Sequence, residues 1–152
     1  VKIRTGGREG YIRTTGNASV VEKAHETVDE NVKKRRQVVE YAMQFVGGRY
    51  VYGGADPNRG ADCSGFTRYI MQHAAGVSLS HSSRAQSGEG RSVSYSDIKP
   101  GDLIFYGGKG YINHVAMYIG NGQIVHASTE RTGIKISNAT YRTPVKVVRV
   151  LN

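Results

Sequence analysis

The sequence has few of the residues that stabilise small domains through disulfides or structural metal sites. Its 152 residues include one cysteine, three prolines and no tryptophan. A single cysteine excludes an intramolecular disulfide and any zinc site built on several thiolates. No stretch approaches the roughly 20 consecutive apolar residues that a membrane-spanning helix needs. A chain of this length can still bury a hydrophobic core, so a folded domain is expected.

Acidic residues are also scarce. The chain has 21 lysines and arginines against 12 aspartates and glutamates, a net charge of +9. Such an excess favours anionic partners: nucleic acid, a membrane surface or an acidic cell-wall polymer. The one tight basic run, Lys33-Lys34-Arg35-Arg36, has no aromatic stacking platform around it. We therefore interpret this run as a solvated helix end and expect no nucleic-acid partner.

The beginning of the chain differs from the rest. It is rich in Gly, Thr and Arg and holds two short β-like pieces, Val1–Arg4 and Gly10–Thr14. The stretch Gly7–Ile12 resembles the closing strands of a bacterial SH3 domain, and a linker helix is predicted near 20–31. Because no signal peptide is visible and the chain does not start with Met, we expect a piece of a longer protein. Residues 1–31 are predicted to be a linker or the tail of a preceding domain, and residues 32–152 a domain of their own.

Helical periodicity marks the first half of this second domain. The predicted elements are, in order, a helix near 32–46, a loop over Arg49–Gly60, a helix over Cys63–Ala75 and a short helix within Ser82–Gly88. Gly47-Gly48 is a C-terminal signal for the first helix, which can be continuous with the linker helix. Asp62 is an N-cap candidate for the second helix, and Gly76 ends it.

Strand periodicity begins after Pro100-Gly101. Short, apolar, β-branched runs alternate there with Gly-containing turns and predict strands at Asp102–Tyr106, His114–Ile119, Gln123–His126, Ile134–Ser137 and Val145–Leu151. Asn121-Gly122 between two of these runs is a strong hairpin signal. Helices followed by an antiparallel meander predict an α+β domain.

The lone cysteine, Cys63, stands where the second helix is predicted to begin. A helix start presents unpaired backbone N–H groups and a partial positive charge, which favour a thiolate and can stabilise an oxyanion. The following Gly65 allows close approach of another backbone or of a substrate. A buried, inert cysteine is the alternative that position alone leaves open.

Two of the five histidines are placed to serve such a thiol. His114 starts one strand of the predicted hairpin and His126 ends the other, so pairing across the turn brings them together. Adjacent imidazoles can act as a base and its orienting group. The alternatives are a hydrogen-bonded pair on a solvated sheet face, or two zinc ligands, for which Cys63 and Asp62 are the sole candidates to complete the site. His25 and His73 are interpreted as structural or solvated.

Five separate motifs resemble the NlpC/P60 family, papain-like cysteine peptidases that cut bacterial cell-wall peptides. In the family's order they are Tyr50-Val51-Tyr52-Gly53-Gly54, Asp62-Cys63-Ser64-Gly65-Phe66, Pro100-Gly101-Asp102-Leu103, Asn113-His114-Val115-Ala116-Met117-Tyr118-Ile119-Gly120 and His126-Ala127-Ser128. The resemblance covers roughly residues 34–152. It implies helices packed on an antiparallel sheet of roughly five or six strands, with the nucleophile at a helix N-terminus.

The resemblance also implies roles for individual residues. Cys63 matches the nucleophile, His114 the general base, His126 the residue that orients the base, and Tyr52 a tyrosine that helps the oxyanion site. The residues that match substrate-binding positions are Asp62, Ser64, Ser83 and Gln86. Where relatives often read Leu-Pro-Arg, this chain reads Leu79-Ser80-His81. We expect His81 to be a solvated loop histidine.

The function implied by the resemblance is that of a secreted endopeptidase acting at the cell wall. It would cut peptidoglycan stem peptides between γ-D-glutamate and a diamino acid, diaminopimelate or lysine, through a thioester. This chemistry needs no metal and no cofactor, and the isolated domain is expected to be a monomer. The alternatives are a papain-like amidase or acyltransferase acting on another amide, and a non-catalytic wall-binding module.

Overall fold

The computed structural model describes the backbone of residues 16–152 and the side chains from Glu30 onward. The predicted pieces Val1–Arg4 and Gly10–Thr14 lie outside the described residues. The chain divides into two compact units, Val1–Lys33 and Lys34–Asn152. In the described part of the first unit the chain is helical, and all elements after the first helix belong to the second unit.

Helix α1 runs without a break from Gly16 to Met43, so the linker and domain helices are continuous. It ends before the predicted residue 46 because the chain turns towards the sheet. Gly47 has a left-handed φ of 96°, and its N–H donates to the Ile134 carbonyl at 2.9 Å. Within the second unit, Val38 and Ala42 on this helix are completely buried.

Helix α2, Cys63–Ala75, has the predicted bounds and caps. The Asp62 carboxylate accepts a hydrogen bond from the Gly65 N–H at 2.8 Å, as an N-cap does. Gly76 takes the left-handed conformation with a φ of 67° and closes the helix. Phe66 and Ile70 are completely buried, which fixes the rotation of the helix about its axis.

The predicted loop over Arg49–Gly60 is wrong in one respect. It contributes to a small two-stranded ladder in which β1, Ala55–Asp56, pairs with β2, Gly60–Ala61. The turn between them is stabilised by Asp56, whose side chain accepts from the Asn58 N–H at 2.9 Å. Strands this short carry no readable alternation of polar and apolar residues.

A six-stranded antiparallel sheet forms the rest of the domain, with the order β3-β8-β4-β5-β6-β7. Its strands are β3 Arg91–Val93, β4 Leu103–Gly108, β5 Tyr111–Gly120, β6 Gln123–Thr129, β7 Gly133–Asn138 and β8 Pro144–Arg149. The five predicted strands and the Asn121-Gly122 hairpin are confirmed. Strand β8 returns to pair with β4, so the meander ends at β7. The short, exposed edge strand β3 has no apolar pattern and was not predicted.

The principal hydrophobic core lies between the helices and one face of the sheet. It joins Phe66, Ile70 and Met71 of α2 to alternate strand residues such as Phe105 and Val115. A smaller cluster around Ile104, Tyr106, Ala116 and Ile124 covers the other face. This arrangement confirms the predicted α+β class, with helices packed on an antiparallel sheet. No helix in residues 16–152 has the length and apolarity to cross a membrane.

The basic run is not a uniformly solvated helix end, as the sequence led us to expect. Arg35 is 6% exposed, and its guanidinium donates to Asp102 at 3.1 Å and to the Pro100 carbonyl at 2.8 Å. Asp102 is completely buried and also binds Arg149 at 2.9 Å. A buried carboxylate needs such partners, so Arg35 anchors the second part of α1 to the start of β4.

Candidate active site

Cys63 is the first residue of α2 and is partly exposed. The Val115 backbone N–H on β5, in the residue that follows His114, is one of the groups that lower the pKa of the Cys63 thiol. Burial is the largest cause that raises the pKa of the thiol above its usual 9.0, and neighbouring backbone N–H groups oppose the rise. The resting sulfur is therefore a thiol at neutral pH.

Three side chains from neighbouring strands form a hydrogen-bonded row beside this position. His114 Nε2 lies 2.7 Å from His126 Nδ1, and His126 Nε2 lies 2.9 Å from Ser137 Oγ. A His114 protonated at Nε2 donates to His126, which then donates from its own Nε2 to Ser137. This set of tautomers leaves His114 Nδ1 as an unprotonated nitrogen.

Both imidazoles are buried, and this decides their charge. Burial lowers the pKa of His114 from 6.5 to about 3, with His126 and Arg142 as smaller causes. Burial also lowers the pKa of His126 to about 4, with Lys135 as the smaller cause. Both rings are consequently neutral at neutral pH, and a neutral imidazole has a nitrogen that can accept a proton.

Tyr50 is half-buried, whereas Tyr52, matched to the oxyanion tyrosine in the sequence, is 84% exposed. Burial raises the pKa of Tyr50, and the nearby Cys63 and Asp62 add to the rise. The two tyrosines stand two positions apart in one motif, so the pattern alone does not distinguish them. The exposure of Tyr52 does not suit the role that the sequence analysis gave it, and the half-buried Tyr50 is the other candidate for that role.

Tyr141 and Arg142 also reach the site without a sequence signal. The Tyr141 ring lies 5.2 Å from the His126 ring and 6.5 Å from the His114 ring, measured between centroids. Arg142 donates to Asn113 at 3.0 Å and contributes to the low pKa of His114. They follow β7 in a turn, a region whose sequence has no periodicity to place it.

Asp62 is bound on three sides by the surrounding backbone and by His81. Its Oδ1 accepts from Gly65 N at 2.8 Å and lies 2.8 Å from His81 Nε2, while its Oδ2 accepts from Gly53 N at 3.0 Å. His81 lies exposed outside the helices and strands, as expected for a solvated loop histidine, and it is in addition a partner of Asp62. A carboxylate has about four acceptor positions, so about one is left for another ligand.

The other predicted substrate-binding residues differ in their accessibility. Ser64 is 6% exposed and Ser83 is half-buried at the start of the short helix α3, Ser83–Gln86. Gln86 is completely buried, and its amide donates to the carbonyls of Ser64 at 2.9 Å and of Ser80 at 2.8 Å. Gln86 therefore does not line the cleft as the sequence analysis predicted. Its side chain is buried and binds the backbone at the start of α2.

The zinc alternative finds little support in this geometry. The facing nitrogens of His114 and His126 lie 2.7 Å apart and bind each other, which leaves no room for a metal ion between the two rings. Among residues 30–152, no group of three or more His, Cys, Asp or Glu side chains is arranged to hold a metal.

The described domain thus combines helices on one face of an antiparallel sheet with a thiol at a helix start and paired histidines on two neighbouring strands. Residues 47–149 match the NlpC/P60 family, and the chain belongs to that family. The NlpC/p60 domain of the peptidoglycan hydrolase SagA has a similar structure, with a TM-score of 0.70 and 35% identity. That likeness covers 76% of this chain and 98% of the SagA chain.

Two curated relatives are similar over the same region. A probable endopeptidase of Mycobacterium bovis is 41% identical over 115 residues, which are 75% of this chain and 26% of that protein. The gamma-DL-glutamyl hydrolase of Bacillus subtilis is 36% identical over 107 residues, which are 68% of this chain and 26% of that protein. The chain thus spans about a quarter of the length of these relatives.

Proposed function

We propose that this protein is a peptidoglycan hydrolase, a cysteine endopeptidase with Cys63 as the nucleophile and His114 as the base. The observation that carries the proposal is the hydrogen-bonded row His114–His126–Ser137 beside a thiol at a helix start. A structural cysteine has no need of a buried base with an orienting partner. The endopeptidase and hydrolase names of the relatives support the same reaction class.

The reaction begins with neutral partners. His114 takes the thiol proton as the Cys63 sulfur attacks the scissile carbonyl carbon, and a tetrahedral oxyanion forms. When the intermediate collapses, the C–N bond breaks and the imidazolium of His114 gives its proton to the leaving amine. Water, deprotonated by the same ring, then hydrolyses the thioester and frees the thiol. His126 and Ser137 keep His114 in the required orientation and tautomer.

The oxyanion is stabilised where α2 begins. Backbone N–H groups of its first turn have no partner within the helix and point at the developing charge. The Tyr50 hydroxyl, close enough to Cys63 to be influenced by it, supplies a further donor. The exposed Tyr52 stays available for contact with a bound peptide.

The substrate in this proposal is a stem peptide, cut between γ-D-glutamate and a diamino acid. The name of the Bacillus subtilis relative, a gamma-DL-glutamyl hydrolase, supports a γ-glutamyl bond. The partly free Asp62 carboxylate and the Ser64 and Ser83 region provide polar contacts on the acyl side. A net charge of +9 favours encounter with an anionic wall, where we place the secreted protein as a monomer.

Mass spectrometry of defined muropeptides incubated with the wild type and with Cys63→Ala tests the proposal. The wild type should release fragments ending in D-glutamate or D-isoglutamine, and Cys63→Ala should release none. An added acceptor amine that ends up in the product would instead indicate an acyltransferase. Intact muropeptides after long incubation with reduced thiol, together with equal wall binding by both forms, would favour a binding module.

A further inference from the structure

The two histidines of the candidate active site are almost closed off from solvent. His126 is completely buried and His114 is 7% exposed. The Tyr141 ring lies against both of them, with its centroid 5.2 Å from that of His126 and 6.5 Å from that of His114. Tyr141 is itself 43% exposed. Its ring therefore lies between the two imidazoles and the solvent.

The contacts of this ring are those of a packed aromatic cluster. The Tyr141 plane is inclined by 65° to the His126 ring and by 76° to the His114 ring, and both are edge-to-face arrangements. A fourth ring, Tyr106, lies 5.3 Å from Tyr141 and 5.9 Å from His114, measured between centroids. Tyr106 is completely buried, so Tyr141 is the member of the cluster that faces the solvent.

The turn between β7 and β8, which carries this ring, is bonded to the rest of the sheet. The Ala139 N–H donates to the Gly122 carbonyl at 2.8 Å, and the Ala139 carbonyl accepts from the Tyr106 hydroxyl at 2.7 Å. At the other end of the turn, the Arg142 guanidinium donates to the Asn113 side chain on β5 at 3.0 Å. The ring is therefore held in place by the fold and needs no closing movement.

Exclusion of water keeps the two imidazoles uncharged. Burial is the largest cause of the low pKa of His114, ahead of His126 and Arg142. Burial is also the largest cause of the low pKa of His126, ahead of Lys135. A buried imidazolium lacks the water that would solvate its charge, so the neutral ring is favoured. Tyr141, at the boundary with the solvent, is the side chain whose removal would admit water.

The titratable and charged groups around the pair come from α2, β4, β7 and the turn. They are Cys63, Tyr106, Lys135, Tyr141 and Arg142. Burial raises the pKa of Cys63, Tyr106 and Tyr141, so all three are uncharged at neutral pH. Lys135 and Arg142 are cations, and they oppose protonation of the imidazoles whether or not the Tyr141 ring is present. Removal of that ring should therefore raise the two histidine pKa values only part of the way to 6.5.

We propose that Tyr141 is a positioning residue of the reaction, whose ring shields the hydrogen bond between His114 and His126 from water. This inference rests on the endopeptidase function proposed above. With water excluded, His126 is the partner of His114 Nε2, and the tautomer that leaves His114 Nδ1 free for the thiol proton is maintained. The ring performs this task without the hydroxyl, so phenylalanine should replace the tyrosine without loss.

An NMR titration of isotope-labelled histidines tests the shielding without any substrate. Between about pH 7.5 and about pH 5, both histidines of the wild type and of Tyr141→Phe should stay largely unprotonated. In Tyr141→Ala, the midpoint of His126, the nearer ring, should rise from about 4 to between about pH 5 and about pH 6.

Tyr111→Ala is the matched control for the loss of a surface tyrosine. Tyr111 is 58% exposed, and its ring lies against the Arg84 guanidinium, 3.9 Å away. This variant should titrate as the wild type does. Tyr141→Leu has a smaller apolar side chain, so it should give an intermediate midpoint and replaces Tyr141→Ala if that variant does not fold. Wild-type titration of His126 above pH 5, unchanged midpoints in the Tyr141 variants, or an equal shift in Tyr111→Ala would overturn the inference.

The pH dependence of kcat/KM for a γ-D-glutamyl stem peptide connects the shielding to the reaction. In Tyr141→Ala the acidic limb should move to higher pH by about one unit, because a protonated pair cannot take the thiol proton. In Tyr141→Phe the limb should not move. A lower kcat/KM in Tyr141→Ala at every pH, with an unmoved limb, would indicate a structural role alone and overturn the inference, with the endopeptidase function intact. Absence of cleavage by the wild type would overturn the endopeptidase function, and the role of Tyr141 in the reaction with it, even where the NMR titration shows shielding.

Discussion

The start of α2 and the strands β5, β6 and β7 supply the two halves of the site in different ways. On the helix side, Asp62, Cys63 and Gly65 are nearly consecutive, and a single turn positions them. On the sheet side, His114, His126 and Ser137 come from three strands and meet through pairing alone. A local motif can thus place a nucleophile, but its base depends on the register of the whole sheet.

The two sides are alike in their electrostatics. Burial raises the pKa of the Cys63 thiol and lowers the pKa of His114, so both groups rest in their neutral forms. A neutral pair avoids the cost of keeping two charges in a poorly solvated place. In the proposed reaction the charge appears only in the transition state, where the helix N–H groups can stabilise it.

Among changes that leave the Cys63 thiol in place, one on the sheet side should show the largest effect. His114→Ala removes the proposed base and should lower kcat by about 10²–10⁴-fold. His73→Ala is the control, since His73 is an exposed histidine stacked on Tyr69, a contact outside the proposed catalytic row. Muropeptide cleavage rates measure the difference. A loss of less than fivefold in His114→Ala would assign the base to another residue.

The loss of stability in acid should also come mainly from the two histidines on the sheet side. Between the ordinary histidine pKa of 6.5 and the folded values of about 3 and about 4, the unfolded chain binds more protons than the native protein. The free energy of unfolding is therefore unaffected by these histidines above pH 6.5. It falls as the pH drops from 6.5 towards their folded pKa values, by about 1.4 kcal/mol per pH unit for each histidine.

Urea unfolding at pH 7.5, 6.5 and 5.5 measures this dependence. His126→Gln removes one of the two titrating rings and should flatten the slope between pH 6.5 and 5.5. The same slope in the variant and the wild type would show that these rings are not the groups that titrate.

On the helix side, the stability of the protein should depend on tight packing around Gly65. A Cβ at Gly65 would overlap the Gly54 carbonyl and press on Asp62 and His81. Gly65→Ala should therefore lower the free energy of unfolding by about 1–3 kcal/mol and reduce cleavage. Gly108→Ala is the matched control, because a Cβ there meets nothing within 4 Å. Equal stability of the two variants, measured by urea unfolding, would mean that the packing at Gly65 is not tight.

Sequence patterns predicted the parts of this protein that depend on local chemistry. The caps Asp62 and Gly76, the Asn121-Gly122 turn and the strand periods gave α2 and most of the sheet. The strand β3 and the return of β8 to β4 were missed, because they depend on pairing between residues far apart in the chain.

The same division applies to the candidate site. Cys63, His114 and His126 stood out in the sequence, and the hairpin register brought the two histidines to hydrogen-bonding distance. Ser137, Tyr141 and the Asp62 contact of His81 carry no motif of their own. Tyr50 differs from Tyr52, and Gln86 differs from a residue that lines a cleft, in how far each side chain is buried. Burial depends on the folded chain, so the sequence motifs did not reveal it.

The most direct test of the central claim, that Cys63 is a catalytic nucleophile, is the mass of the protein during turnover. A wild-type sample quenched in acid with a γ-D-glutamyl stem peptide should carry an added mass equal to the acyl fragment, localised to Cys63 by peptide mapping. His114→Ala should show no such adduct. Cleavage by the wild type without any adduct on Cys63, and with activity retained by Cys63→Ala, would contradict the account.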